Sequence, residues 1–502
     1  MLAFLQFDAS SQPLVERMLA EGRLPALQAL KNRGRWLPLE AESDFFEAAA
    51  YATLYAGTEV GEHGLYYGFV WSPAEHRVHY LDFNGVPETV WERLGRAGRR
   101  SLILDPYVPW HATAPGLSLS GWQLTHKIIP RWSSPRTAYR QFARRFGRTS
   151  LLQDVSGRRH RALVFNMRDV LLAGPARAAN LVIDALGRDA FDFLWVNFIS
   201  AHLTGHLFWD PSRIQAADLS DADRKGLECT LERVYEATDD ALGRIVAALP
   251  RDADVLVFSP LGMGPETSRS DLLPGMLSAI LAEGPSRAAD MTDRVAGRSI
   301  WRFRARVPTD WRAAVARLLP GSLVRKIVAG LYLRGVDWSR TQAVVLPGDH
   351  YGYVRLNLRG RERHGIVSPA DADALMHRIA AGLTSFADPD GTPAIASVER
   401  VKDHMVGARA GALPDLVVRW SERPSHAIAG VSSPLFGEVR REGVGTGRLG
   451  NHVPGSWLLI APGASHIREM ARRPRLVDLA ATACDRLGAP SDGLQGESLL
   501  RS

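Results

Sequence analysis

Cysteine is nearly absent, with only Cys229 and Cys484 in 502 residues. Two thiols cannot build a disulfide framework; they suit a reducing compartment and read as core residues rather than ligands. Lysine is almost as scarce: five positions (31, 127, 225, 326 and 402) within a Lys+Arg total of 61, so the positive charge is carried by arginine. No apolar run reaches the roughly 18 residues that would span a bilayer. The start, MLAFLQFDASS, enters a strand at once and lacks the basic n-region and long h-region of a leader. From these absences we expect a cytoplasmic protein with no membrane span. There is no low-complexity tract, no internal repeat and no nucleic-acid-binding module, so nucleic acid is not an expected partner.

The chain has 46% hydrophobic and 23% charged residues, an ordinary globular composition. Its formal charge is +7. Arginine clusters in RWSSPR (131–136), Arg144–Arg145 and GRRHR (157–161) are compatible with a small anionic ligand, although a solvated basic face is the simpler reading. Helix and strand signals alternate. LAFLQF (2–7) ends on Asp8, and an amphipathic helix follows over about 13–33. FEAAAYATLYAG reads as a helix with Glu47 in its first turn and Gly57 as its stop. Further pairs are helix 176–188 with strand 191–199, helix 226–249 with strand 254–260, and strand 456–463 with helix 475–488. Such alternation predicts an α/β fold with a mostly parallel sheet, whose ligands bind beyond the carboxyl ends of strands. Asp8, His202 and Pro260 stand at those ends. Residues 106–175 and 264–340 interrupt the pattern and read as cap-like inserts in one domain spanning 1–502, the second with helical pieces near 309–318 and 322–333.

The stretch SAHLTGHLFWDPS (200–212) puts His202 and His206 four apart after the apolar run FDFLWVNFI (191–199). Residues four apart share one helical face and can clamp a metal. Spacing alone leaves two core rings as an open alternative.

The landmarks, taken in order, resemble the alkaline phosphatase superfamily, in particular its type I phosphodiesterase and nucleotide pyrophosphatase branch. FLQFDASSQPLVERMLAEGRLPALQALKNRG is similar to that branch's opening strand, ligand Asp and first helix. AYATLYAGTEVGEHGLYYGF, NFISAHLTGHLFW, YGYVRLNLRGRERHGIV, LPDLVVRW, GRLGNHVPGSWLLIAPG and the tail LVDLAATACDRLGAP resemble its later segments. The resemblance implies an alkaline-phosphatase-like three-layer sandwich. It also implies two metal ions and a Thr or Ser nucleophile, the metals clamping the attacking and leaving oxygens of a phosphoryl transfer. One implied ligand set falls on His202, His206 and His452. The other falls on Asp8, the nucleophile position Glu47, and Pro260 and Leu261.

Pro and Leu bind no metal, and Glu47 replaces the hydroxyl, with Ser43 and Thr53 off the spacing. The expectation is therefore a rebuilt site. His202, His206 and His452 hold one divalent transition metal, by default zinc, with iron, manganese or copper as variants. Asp8 and Glu47 lie on the same rim as fourth ligand, partner of a ligand, or general base. Arg359 and Arg361, with Arg355, would reach a small anionic substrate or else serve only the fold. His63, in GEHG, reads as structural, and His111, His126, His160 and His350 as surface residues. The activity expected is hydrolysis of a phosphate-ester-like anion without a covalent phospho-enzyme. The alternatives are a silent member binding a ligand or protein, and a mononuclear metalloenzyme with redox or lyase chemistry.

Overall fold

A computed structural model of the chain describes residues 1–42, 45–81, 87–107, 114–125, 131–149, 159–216, 218–282, 319–443 and 445–501. Ser43, His111, His126 and the helical piece expected near 309–318 lie outside the described residues.

Eight strands form the main sheet, in the order Arg35–Pro38, Trp457–Ala461, Asp254–Ser259, Leu2–Gln6, Phe193–Asn197, Ser101–Leu104, Gly116–Ser120 and Trp132–Ser134. From Asp254–Ser259 through Gly116–Ser120 the neighbours run parallel, and the outer strands are antiparallel. Central strands such as LAFLQ and FLWVN are buried along their whole length, as a parallel sheet covered on both faces requires. Side chains alternate between the two faces. Ala3, Leu5, Leu194, Val196, Val255 and Val257 enter one apolar cluster, with helices Gln12–Ala20, Pro25–Asn32 and Thr230–Ala248. Leu2, Phe4, Phe193, Trp195, Leu256 and Phe258 enter the other, with helices Ala49–Ala56, Val90–Arg96 and Leu476–Leu487. Helix, sheet and helix make three layers.

Some elements differ from expectation. The helix expected over 13–33 is two helices, because Gly22 takes φ +72° and Pro25 opens the second, where its missing N–H costs nothing. The region read as the first insert supplies the strands Gly116–Ser120 and Trp132–Ser134 at one sheet edge, and helix Arg161–Leu186 runs through Pro175. A second, antiparallel sheet is ordered Ala343–Leu346, Gly352–Leu356, Leu416–Trp420, Ile395–Arg400. Helices Leu273–Leu281 and Ala372–Thr384 cover one face of it. Its other face, through Val344, Leu346, Tyr353 and Val417, packs on Phe46, Ala49 and Tyr66 beside the main sheet. Among the described residues no helix is long and apolar enough to cross a membrane.

Candidate metal centre

Three segments deliver the site at the carboxyl edge of the main sheet. Strand Leu2–Gln6 ends just before Asp8, and Ala9 beyond it takes φ +45°, a left-handed conformation uncommon for a residue with a side chain. Strand Phe193–Asn197 runs directly into helix Ile199–Phe208, which places His202 and His206 on successive turns of one face. His452 comes from strand Gly450–Val453, paired opposite Met263. Gly450 permits the close approach, since a Cβ there would stand 2.5 Å from the Gly205 carbonyl oxygen and 2.8 Å from the Trp209 Cβ.

The three rings are buried and converge through their Nε2 atoms. His202 Nε2 lies 3.0 Å from His206 Nε2 and 2.9 Å from His452 Nε2. Their far nitrogens face acceptors. His202 Nδ1 is 3.0 Å from Asp8 Oδ2, and His206 Nδ1 is 2.9 Å from the Gly450 carbonyl oxygen. His452 Nδ1 stands 3.5 Å from Asp349 Oδ2, a close approach without hydrogen-bond geometry. A carbonyl oxygen and an ionised carboxylate only accept, so the protons of His202 and His206 are assigned to Nδ1 and their Nε2 lone pairs point at each other. Two lone pairs 3.0 Å apart repel unless a cation sits between them. The donor set therefore fits a metal ion: three imidazoles, two of them oriented by the kind of outer partner that metal-bound histidines carry. Burial, and after it the positive charge of Arg448, holds His206 well below the ordinary imidazole range; burial, then His202, does the same to His452. Both therefore stay neutral, as ligands must be. These three form the one group of this kind among the described residues.

Asp8 lies beneath this cluster with its acceptor sites filled. Gln6 Nε2 at 2.8 Å and the Tyr51 hydroxyl at 2.9 Å donate to Oδ1; Asn197 Nδ2 at 3.4 Å and His202 share Oδ2. That geometry orients His202. Tyr107 stacks on both Tyr51 (centroids 4.3 Å apart) and His202 (4.8 Å), walling the rings with aromatic surface. Pro260 and Leu261 follow the neighbouring strand end; the Pro260 carbonyl accepts from Ser456 and Leu261 is wholly buried. Neither side chain offers a donor atom.

Glu47 precedes the cap of helix Ala49–Ala56 rather than lying in its first turn. It turns toward the second sheet, where the His350 N–H donates to Oε1 at 2.6 Å and the Tyr353 hydroxyl to Oε2 at 2.8 Å. Burial, then the charge of Asp349, pushes its carboxyl up to about 7. The link to the histidines is indirect, through Asp349, which pairs with Arg448. His350 is a correction: it is buried, not a surface residue. Its carbonyl accepts from Ser268 and from Trp420 Nε1, and burial lowers its imidazole to about 3. His63 is held structurally, accepting from the Leu65 N–H at Nδ1 and lying 3.1 Å from Thr53 Oγ1 at Nε2.

The arginines part from the cluster. Arg355 donates to Glu362 and to the carbonyls of Leu413 and Gly411. Arg361 grips Asp415 through both terminal nitrogens at 2.7 Å. Arg359 is exposed and reaches the Ile366 carbonyl at 3.3 Å. None of these partners belongs to the histidine group. Asp349, Tyr51, Tyr107, Asn197 and Arg448 escaped the sequence reading. The available signals were weak: a polar Asn closing an apolar strand, and an Asp in the PGDH turn after a strand.

The profile of the family described as type I phosphodiesterase / nucleotide pyrophosphatase matches residues 2–430. Among solved structures, phosphonoacetate hydrolase from Sinorhizobium meliloti 1021, in complex with phosphonoformate, superposes with a TM-score of 0.50 at 12% identity. The match covers 97% of this chain and 95% of that one. Murine ectonucleotide pyrophosphatase / phosphodiesterase 5 superposes with a TM-score of 0.50 at 11% identity, covering 100% of both chains. Identities this low establish a shared fold alone. No curated protein matches the sequence significantly.

Proposed function

The chain belongs to the type I phosphodiesterase / nucleotide pyrophosphatase family, with the alkaline-phosphatase-like sandwich of its structural relatives; within it we propose a hydrolase of a phosphate-ester-like anion built on one metal ion. His202, His206 and His452 would hold that ion. Bound there, a divalent transition metal supplies Lewis acidity; imidazole ligands make zinc the default, with iron, manganese or copper as the other fits.

The protein's own groups do the rest. Asp8 and the Gly450 carbonyl keep protons on the far nitrogens of His202 and His206, leaving Nε2 free to ligate. Tyr51 and Tyr107 exclude water from one side of the rings. Glu47, with its proton affinity raised to about 7, is matched to take a proton near neutral pH. No covalent phospho-enzyme forms, because Glu47 occupies the nucleophile position and the Thr53 hydroxyl sits against His63.

The convergence of three Nε2 atoms carries this reading, and metal content tests it. Purified protein should hold about one transition metal per chain by elemental analysis, His202→Ala should lose it, and the control His63→Ala should keep it. Metal-free protein after growth with supplement, or equal metal in His202→Ala, would overturn the proposal. Pro260 and Leu261 favour a second reading, a member that binds its ligand without turning it over; tightly held metal with no hydrolysis of any phosphate or phosphonate ester would select it.

A further inference from the structure

The third histidine differs from the other two at its far nitrogen. Asp8 and the Gly450 carbonyl take the Nδ1 protons of His202 and His206. His452 Nδ1 is buried and makes no hydrogen bond among the described residues, with Asp349 Oδ2 standing 3.5 Å away. This ring can therefore carry its proton on either nitrogen. On Nε2 the proton meets His202 Nε2 at 2.9 Å; on Nδ1 it faces Asp349. Only the second form leaves the Nε2 lone pair for a metal. Asp349 is held for that duty from two sides. It lies in the turn between strands Ala343–Leu346 and Gly352–Leu356. The His350 N–H anchors this turn on Glu47 at 2.6 Å, and the His350 carbonyl accepts from Ser268 and Trp420. Gly348 packs so closely that a Cβ would stand 2.7 Å from the Tyr353 ring and 2.8 Å from the Tyr351 carbonyl oxygen. From the other side Arg448 takes Oδ1 of the carboxylate, which leaves Oδ2 for the ring. Arg448 also reaches Asn451 Oδ1 at 3.4 Å, and that oxygen accepts from the His452 N–H at 2.9 Å. Guanidinium, carboxylate and ring are one braced group.

We propose that Asp349 is the positioning residue of His452: its Oδ2 accepts the Nδ1 proton when a metal takes Nε2, and Arg448 holds the carboxylate within reach. The ring stays neutral throughout, its proton leaving Nε2 and returning on Nδ1 by exchange with water. A shift of about 0.5 Å brings the pair into the ordinary range of an N–H···O bond. A histidine whose outer N–H is bound by a carboxylate is fixed in orientation and is the more basic ligand. The assignment rests on the metal-centre reading above.

Competitive zinc titration of the full chain tests it. Asp349→Ala should bind zinc about 10–100-fold more weakly than the parent, the usual cost of losing an outer partner of a ligand. Asp349→Asn, whose amide oxygen still accepts, should fall between the two. Proton–nitrogen NMR of isotope-labelled histidines in zinc-loaded protein adds a readout that general loosening would not give. The Nδ1–H signal of His452 should move upfield in Asp349→Ala, while those of His202 and His206 keep their parent positions. Unchanged zinc affinity in Asp349→Ala overturns the proposal, as does an Asn variant as weak as the Ala variant. Displacement of all three ring signals together also overturns it, because Asp349 would then only support the fold. A parent that binds no zinc removes the metal centre and this assignment with it. Failure of the Asp349 variants beside a zinc-binding parent removes the assignment alone.

Discussion

Glu47 takes its properties from partners three hundred residues away. Reading along the chain places it at a helix start; only the fold shows His350 and Tyr353 closing over its two oxygens. Folded, its carboxyl keeps a proton up to pH about 7, whereas unfolded it releases one near 4.5. Over that interval the native state binds the extra proton. Its contribution to stability is thus fully present below about 4.5 and lost as pH rises through 7. Glu47→Gln keeps the position neutral at every pH. Relative to the parent, the variant should therefore gain stability between pH 5 and 8, measured by denaturant unfolding at each pH. A difference flat with pH would show that the carboxyl ionises as freely in the native protein as in the unfolded one. Metal content should stay unchanged, because the partners of Glu47 are His350 and Tyr353 rather than the three clustered histidines. If Glu47 is the proton acceptor, turnover should fall by about 10²–10⁴-fold.

At the scale of elements, much was legible. Continuous apolar runs such as FLWVN give buried parallel strands, and the i, i+4 spacing of His202 and His206 correctly implied one helical face. His452 has no such local mark, since its neighbour across the site is a helix about 250 residues earlier; only the resemblance pointed to it. GLSLS (116–120) does alternate apolar and polar residues and was legible in principle, whereas the edge strand WSS (132–134) is too short to carry a period. His350 looked like a surface residue because nothing local shows the Trp420 and Ser268 side chains that bury its carbonyl. Gly450 is legible only in three dimensions. Adding a methyl group there forces helix Ile199–Phe208 and strand Gly450–Val453 apart, because the atoms it meets include backbone of both neighbours. Gly450→Ala should destabilise the fold by about 1–3 kcal/mol and also weaken metal binding, as His206 loses its orienting carbonyl. Thermal melting and competitive metal titration check both. Unimpaired metal affinity in a destabilised variant would mean that the strand shifts without carrying His452 or the His206 acceptor with it.

The whole molecule meets at the histidines. His202 and His206 follow a central strand of the main sheet, while His452 returns 250 residues later, after the second sheet has been built. Asp349, from the loop between two strands of that second sheet, stands behind His452 and pairs with Arg448. An ion at the Nε2 atoms would join the early and late parts of the chain, and the unfolded state holds no such preformed group. Ligand that binds only the native form adds stability by mass action, about 2.7 kcal/mol at a hundredfold excess over its dissociation constant. Chelation should therefore lower the melting temperature, and restoring zinc should recover it in proportion to the metal bound. In His202→Ala the melting temperature should respond to neither treatment. The same loss of response should follow His452→Ala, even though that residue lies on a different strand. If chelation shifted the parent and His452→Ala alike, the stabilising ion would reside elsewhere, and the histidine group would have to be read as packed rings around a shared proton.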